Sequence, residues 1–269
     1  METRKAKVYI VLYFDMLGFR GNILRPLKDA NGVVDDRIMS NIIKYSAAAH
    51  VFLENARKLY RSFMEDRKAT LARILPGISC DKGICNQKFD MGLQQFSDTS
   101  MIYIEDAGVI SWMIAQQMLM QMSEHIFDLM QHDMYLRGCL TVGSGWVIEE
   151  NCLFGQVVED CYNAEQNQAG YQRVIVTTEF KKRLKEVFGN LDDCGRKYWS
   201  SLFAEDYDGQ LVFDYIETYK TVRQIDVKAK IKQQLFAVER KLHEYKEEGK
   251  YDLAEKYYHC ADYLRRACK

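Results

Sequence analysis

The chain predicts an α+β fold: an antiparallel sheet covered by helices, with strands and helices in the order βαββαβ. Three observations point there. Short runs rich in Val, Ile, Tyr and Phe alternate with segments of helical period. Two hairpin patterns fall near the middle of the chain. From about Val227 onward the sequence is helical in period to its end.

Residues 7–14 form a continuous apolar, β-rich run that predicts a buried strand, followed by Asp15 and a turn at Gly18. Asp35-Asp36 open a helix whose apolar positions, Ile38, Ile42, Ile43, Leu53, Leu59 and Phe63, recur in threes and fours. Residues 66–94 hold Pro76 and several glycines and predict an irregular insertion. A hairpin follows over 94–105, with Ser97-Asp98 at its bend. Gly108 to about Met130 is a long helix whose Met and Ile positions are core packing. Leu136–Gly143 predicts a strand that runs into a glycine turn. Gly145–Ile148 and Asn151–Gly155 predict a second hairpin, and 156–169 a helix. Arg173–Thr177 is a short strand, and Thr177 or Thr178 caps the next helix. Leu211–Ile216 is a late strand. The tail then forms an αα-hairpin broken at Glu247-Glu248-Gly249. The domain reading is a catalytic-type domain over 1–225, carrying the insertion at about 66–94, and a helical hairpin over 226–269.

The chain has 269 residues, 48% of them hydrophobic, which suffices for a substantial core. Its formal net charge is −1, so the basic surplus of a nucleic-acid binder is missing and no nucleic-acid partner is expected. The eight cysteines show no CxxC pair, and scattered reduced thiols are expected rather than zinc or disulfides. No run reaches the ~20 apolar residues of a membrane span. The opening Met-Glu-Thr-Arg-Lys-Ala-Lys lacks the apolar stretch of a signal peptide, so a cytoplasmic protein with no membrane partner is expected.

Two acids delivered by strands to one sheet rim, Asp15 and Asp98, suit a Mg²⁺ ion held against a triphosphate. Mg²⁺ takes hard oxygen ligands and commonly only one or two protein carboxylates. The plainer reading of Asp15 is a capping residue after a strand. Arg137 and Arg173 each read either as phosphate contacts or as structural partners of an acid. Tyr103 and Trp146 read as base-stacking rings or as core. The five histidines show no ligand spacing.

Five features recur in order: acid-x-x-Gly-Phe at Asp15–Phe19, the hairpin acid Asp98, and Arg-Gly-x-x-Thr-x-Gly at Arg137–Gly143. Phe-Gly at 154–155 then opens a helix, and a Tyr-x-Arg-Val-x-Val strand begins at Tyr171. In this the chain resembles, over about residues 7–216, the catalytic domain of class III nucleotidyl cyclases. It is most similar to the bacterial pyrimidine cyclases of Pycsar antiphage systems. The resemblance implies a ferredoxin-like βαββαβ cyclase domain that works as a homodimer with active sites at the subunit interface. It implies two Mg²⁺ or Mn²⁺ ions on Asp15, Asp98 and the backbone carbonyl of Met16. Amides of the turn Met16-Leu17-Gly18-Phe19 would meet the phosphates of a nucleoside triphosphate, which is cyclised to a 3′,5′-cyclic monophosphate with release of pyrophosphate. A separate effector would read the product.

The chain departs from the pattern in places. Gln94 stands where purine cyclases carry a base-reading Lys or Glu, and Ser97 replaces a Gly. Glu159 and Asn163 occupy the positions of the family's ribose-binding Asn and transition-state Arg, so Arg173, Arg137 or Arg20 must supply that charge if turnover is kept. A neutral amide at Gln94 suits a pyrimidine and, being both donor and acceptor, does not choose UTP over CTP. The alternative is a nucleotide-binding regulator of the same fold without turnover.

Overall fold

The computed structural model describes residues 5–17, 89–96, 99–130, 134–148, 152–189, 199–223 and 227–268, together with isolated positions between 36 and 65. Eight strands are described: β1 (Lys7–Leu17), β2 (Met91–Phe96), β3 (Thr99–Glu105), β4 (Tyr135–Ile148), β5 (Cys152–Phe154), β6 (Val174–Val176), β7 (Phe203–Glu205) and β8 (Leu211–Phe213). The six continuous helices are α1 (Val109–Met130), α2 (Gln156–Gln168), α3 (Thr178–Phe188), α4 (Tyr215–Arg223), α5 (Lys228–Glu247) and α6 (Tyr251–Ala267). The fold is α+β with one mixed sheet in the order β2-β3-β1-β4-β6-β8-β7, and β5 hairpins onto β4.

β1 lies inside the sheet, antiparallel to β3 on one side and to β4 on the other. It is apolar on both faces, which is why its sequence reads as a continuous run rather than an alternation. Ile10, Leu12, Phe14 and Met16 face the larger core, where Trp112, Leu119 and Met122 of α1 pack. Tyr9, Val11 and Tyr13 face the smaller core under Val157, Cys161 and Ala164 of α2. Ile231, Val238, Ala254 and Ala261 of the α5–α6 hairpin belong to the larger core. The hairpin therefore shares the sheet's core instead of building its own, with Tyr257 set edge-on against Tyr135 of β4 at 5.4 Å.

The sheet is not wholly antiparallel as expected, because β6 runs parallel to β4. The chain reaches it through α2, and a helical crossover is what parallel neighbours require. β2 begins at Met91, inside the stretch expected to be irregular. Gly143 and Gly145 do not interrupt β4, and their missing side chains leave room for Val157, which a Cβ at either would meet at 3.1–3.3 Å. The late strand stops at Phe213, and Tyr215 and Ile216 start α4 instead. Asp214 turns the chain there by accepting from the Glu217 N–H at 3.1 Å. β7 has no counterpart in the sequence reading. The described positions between 36 and 65 are helical, as the spacing predicts, but Ile43 is exposed rather than on a buried stripe. The remainder of the 66–94 insertion, up to residue 88, lies outside the described residues. Among the described residues no helix is long and apolar enough to cross a membrane.

Gly138 sets the distance between β1 and β4. A Cβ there would meet the Tyr13 carbonyl oxygen at 1.9 Å, and the Gly138 N–H donates to the Arg173 carbonyl at 3.0 Å. Gly155, at φ 129, makes the turn into α2, and a Cβ there would meet Gly145 Cα at 2.7 Å. Gly138→Ala should push β1 and β4 apart and lower unfolding stability by about 3 kcal/mol, the upper range for overpacking. Gly170→Ala, with nothing within 4 Å, serves as the control and should change stability little. Denaturant melts of the two variants measure the difference.

Candidate functional site

The register of β1 creates the site. Asp15 is the Cα partner of Thr99 on β3 and, on the opposite side, of Arg137 on β4. Both neighbours bind its carboxylate. Thr99 Oγ1 donates to Oδ1 at 3.0 Å. Arg137 donates to Oδ2 from Nε at 3.1 Å and from Nη2 at 3.0 Å. The Asp15 and Arg137 side chains are only 13% and 17% exposed, so the pair is largely shielded from water. Cross-strand pairs of opposite charge are favourable in a sheet, and desolvation makes this one costly to leave half-made.

A third charge completes the cluster. Glu165 of α2 faces the sheet, 1% exposed, with Oε1 in ion-pair contact with Arg137 Nε. That contact is a close, buried ion pair. Oε2 accepts from Gln166 Nε2 at 2.6 Å. Burial pushes the Glu165 carboxyl above its usual range, Arg137 pulls it back, and the Asp15 charge adds to the upward push. Burial is also the main reason the Tyr13 phenol is driven up, with Asp15 and Glu165 adding to it. Two carboxylates thus share one guanidinium at the end of the central strand.

The other residues marked in the sequence divide clearly. Met16 ends the buried stripe of β1, and Leu17 closes the strand. Gly18, Phe19, Arg20 and Asp98 lie outside the described residues. Thr99, the chain neighbour of Asp98, is directly opposite Asp15. Gln94 is buried, and its Oε1 accepts from the Leu153 N–H at 3.0 Å, which ties β2 to β5. Tyr103 is fully buried against Tyr9, with ring centroids 5.8 Å apart, and is core rather than an open stacking surface. Trp146 is partly exposed at 42%, opposite Phe154 on β5.

Glu159 and Asn163 are exposed on α2. Gln156 Nε2 donates to Glu159 at 3.4 Å. Asn163 lines a polar groove of about 370 Å³ between α2 and the start of α3, with Asn167, Thr177, Glu179, Lys181 and Gln210. Neither residue converges on Asp15 within one chain, whereas Glu165, on the inner side of the same helix, does.

Arg173 is committed elsewhere. Its Nη1 bonds Asp206 Oδ2 at 3.1 Å and the Tyr171 hydroxyl at 3.0 Å, and its Nη2 pairs with Asp208 at 2.8 Å. Nε donates to the Gln168 carbonyl at 3.1 Å. Arg266 of α6 binds the other Asp206 oxygen at 2.6 Å. His259 stacks against both Tyr171 and Tyr207, 4.7 Å from each, and the two tyrosine rings are 6.1 Å apart. This network joins β6, the β7–β8 turn and α6, so the structural alternative for Arg173 is the one its geometry fits. Arg137 also pairs with an acid, and that acid is the one marked for metal.

Glu165 and Thr99 were not marked in the sequence. Glu165 had a signal: it lies four residues after Cys161 and next to Ala164, on the stripe that α2 buries. An acid on an apolar stripe needs a buried partner. Thr99 had none beyond its place after Asp98.

Among the described residues no three His, Cys, Asp or Glu side chains form a metal cage. The donor chemistry at Asp15 nonetheless fits a hard divalent ion, which asks for one or two carboxylates. Asp15 is an oxygen donor on a paired strand with the Glu165 carboxylate nearby, and Arg137 is the cation bonded to its Oδ2. Compared with family models, with curated proteins and with solved structures, the chain matches none. The described cysteines, Cys139, Cys152, Cys161, Cys260 and Cys268, are free thiols.

Burial raises the Asp206 carboxyl, but bonds from Tyr171, Arg266, the Tyr207 N–H and Arg173 outweigh it and hold the group below the usual Asp range. A depressed acid stabilises the fold above its unfolded pKa and loses that stabilisation as pH falls through the folded value. Arg173→Met should therefore cost about 3 kcal/mol of stability at pH 7, as expected when one partner of a buried pair is removed. Urea melts should show the gap to wild type narrowing as pH drops below about 4, where the unfolded chain takes up the proton that folded Asp206 still resists.

Proposed function

We propose that the chain is a metal-dependent nucleotide cyclase of the class III type, acting on a pyrimidine nucleoside triphosphate, UTP or CTP. The observation that carries the proposal is the position of Asp15. It lies two residues before the end of β1, an inner strand of an antiparallel β2-β3-β1-β4 array, directly opposite the residue that follows Asp98. That strand order is the one a ferredoxin-like βαββαβ chain produces.

The reaction joins the ribose 3′-oxygen to the α-phosphorus and breaks the bond from that phosphorus to the bridging oxygen of the β-phosphate. The 3′-hydroxyl proton goes to solvent, and pyrophosphate leaves with the electron pair. Bound Mg²⁺ or Mn²⁺ supplies Lewis acidity toward the 3′-oxygen and neutralises charge on the phosphates. The chain's own residues do the positioning. Asp15 and Asp98 would offer the carboxylates, and the amides of Met16 to Phe19 would meet the phosphates, as the family resemblance implies. Thr99 holds the Asp15 carboxylate in one orientation. Arg137, largely shielded and bonded to the Asp15 carboxylate, is a described cation that would offset phosphate charge there.

The proposed enzyme is a homodimer. Glu159 and Asn163 stand exposed on α2, free to face a nucleotide held by a second copy. The product would act through a separate effector in antiviral defence, and the protein would work in the cytoplasm. A second reading, a nucleotide-binding regulator without turnover, is favoured by one observation: Arg173, the first candidate for the missing transition-state cation, is locked to Asp206 and Asp208.

Purified protein incubated with each of the four triphosphates and Mn²⁺ should yield a cyclic pyrimidine monophosphate and pyrophosphate by mass spectrometry. Asp15→Ala and Asp98→Ala should each lower kcat/KM by about 10³-fold, or ~4 kcal/mol of transition-state stabilisation. Binding without conversion in calorimetry selects the regulator. No product and no binding with any triphosphate rejects both.

A further inference from the structure

We propose that Glu165 is a positioning residue that draws Arg137 away from Asp15 and so opens Asp15 to a divalent cation. The inference rests on the reading that Asp15 carries the cation. Three observations on the described residues support it. Arg137 places both of its bonds to Asp15 on one oxygen, Oδ2, and Thr99 alone holds Oδ1. The Arg137 Nε that reaches Asp15 also touches Glu165 Oε1, so one N–H lies between two acceptors. Glu165 is buried at 1% exposure, and Arg137 is the cation in contact with its Oε1.

One guanidinium N–H set between two carboxylates cannot serve both fully. A modest turn of the Arg137 side chain gives Glu165 the larger share. The same turn removes the guanidinium from Oδ2, the position a metal ion needs. The charge count favours this, since two carboxylates against one guanidinium leave an excess of one negative charge when both acids are ionised. A cation arriving at Asp15 meets repulsion from Arg137 unless Arg137 has another anion to move to, and Glu165 is that anion. Its seat on α2, a rigid helix packed on β1 and β4, fixes where Arg137 goes. Glu165 thus acts on the metal through Arg137 and is not itself a ligand.

Mn²⁺ titration of the full chain, followed by electron paramagnetic resonance, separates the possibilities. Glu165→Gln should weaken Mn²⁺ binding about tenfold, as expected for a residue that orients a metal ligand. Glu165→Asp, which keeps the charge at shorter reach, should fall between, and it carries the test if the Gln variant melts early. Arg137→Gln should not weaken binding. In the Arg137→Gln background, Glu165→Gln should have no further effect, because its intermediary is gone. Equal weakening in both backgrounds overturns the inference, since Glu165 would then act on the ion directly or through the fold. Wild-type affinity in Glu165→Gln also overturns it. Asp15→Asn should abolish binding. If it does so while the Glu165 variants bind normally, only this inference fails. If Asp15→Asn binds Mn²⁺ as wild type does, or wild type binds none, the metal reading of Asp15 fails with it.

Discussion

The register of β1 between β3 and β4 is the constraint from which the rest follows. β1 is buried on both faces and paired along both edges, so its eleven residues cannot slide. A slip of one residue would exchange the stripe Ile10, Leu12, Phe14 and Met16 with Tyr9, Val11 and Tyr13, and neither core has room for the other's side chains. Gly138 keeps the same register from the β4 side, because only glycine fits against the Tyr13 carbonyl. With the register held, Asp15 has no choice of neighbours: Thr99 and Arg137 flank it in the sheet, and α2 brings Glu165 from above.

The two faces of the sheet then divide the work. The larger core, under α1, α4 and the α5–α6 hairpin, is built of aliphatic and aromatic side chains and supplies stability. Around Trp112 it holds Phe180, Phe188 and Trp199 with ring centroids 4.9–6.3 Å apart. The smaller core, under α2, ends in charge at Asp15, Arg137 and Glu165. A second polar network, around Arg173 and Asp206, sits away from this cluster and joins the C-terminal hairpin to the sheet. Two buried arginines therefore have opposite duties. Arg173 has its donors taken up by Asp206, Asp208, the Tyr171 hydroxyl and the Gln168 carbonyl, whereas Arg137 is shared between two acids.

Much of this was legible in the residues. β1 and β3 announce themselves by composition, α1 by its period, and the terminal hairpin by Glu248-Gly249. The misreadings have local causes. Glycine at 143 and 145 looked like a turn, but it accommodates Val157 of α2, a contact far along the chain. Tyr215 and Ile216 extended an apolar run and looked like strand, although Asp214 followed by Glu217 is the spacing of a helix start. β7 is three residues long and half exposed, too short to leave a pattern. At the site, Asp15 and Arg137 were visible as residue types, but their partnership depends on register, which hydrophobic pattern fixes only once both strands are paired. Arg173 carried a motif-like context and turned out to be bound by Asp206 and Asp208, residues too distant in the chain to be matched to it by spacing.

The most direct test of the account is a crystal structure of the protein with Mn²⁺ and 3′-deoxy-UTP or 3′-deoxy-CTP, which lack the attacking hydroxyl. Anomalous scattering locates the manganese without ambiguity. The account predicts a manganese peak on the Asp15 carboxylate, with the Arg137 guanidinium turned onto Glu165. Manganese bound elsewhere, with Arg137 still bonded to Asp15 Oδ2, would contradict it.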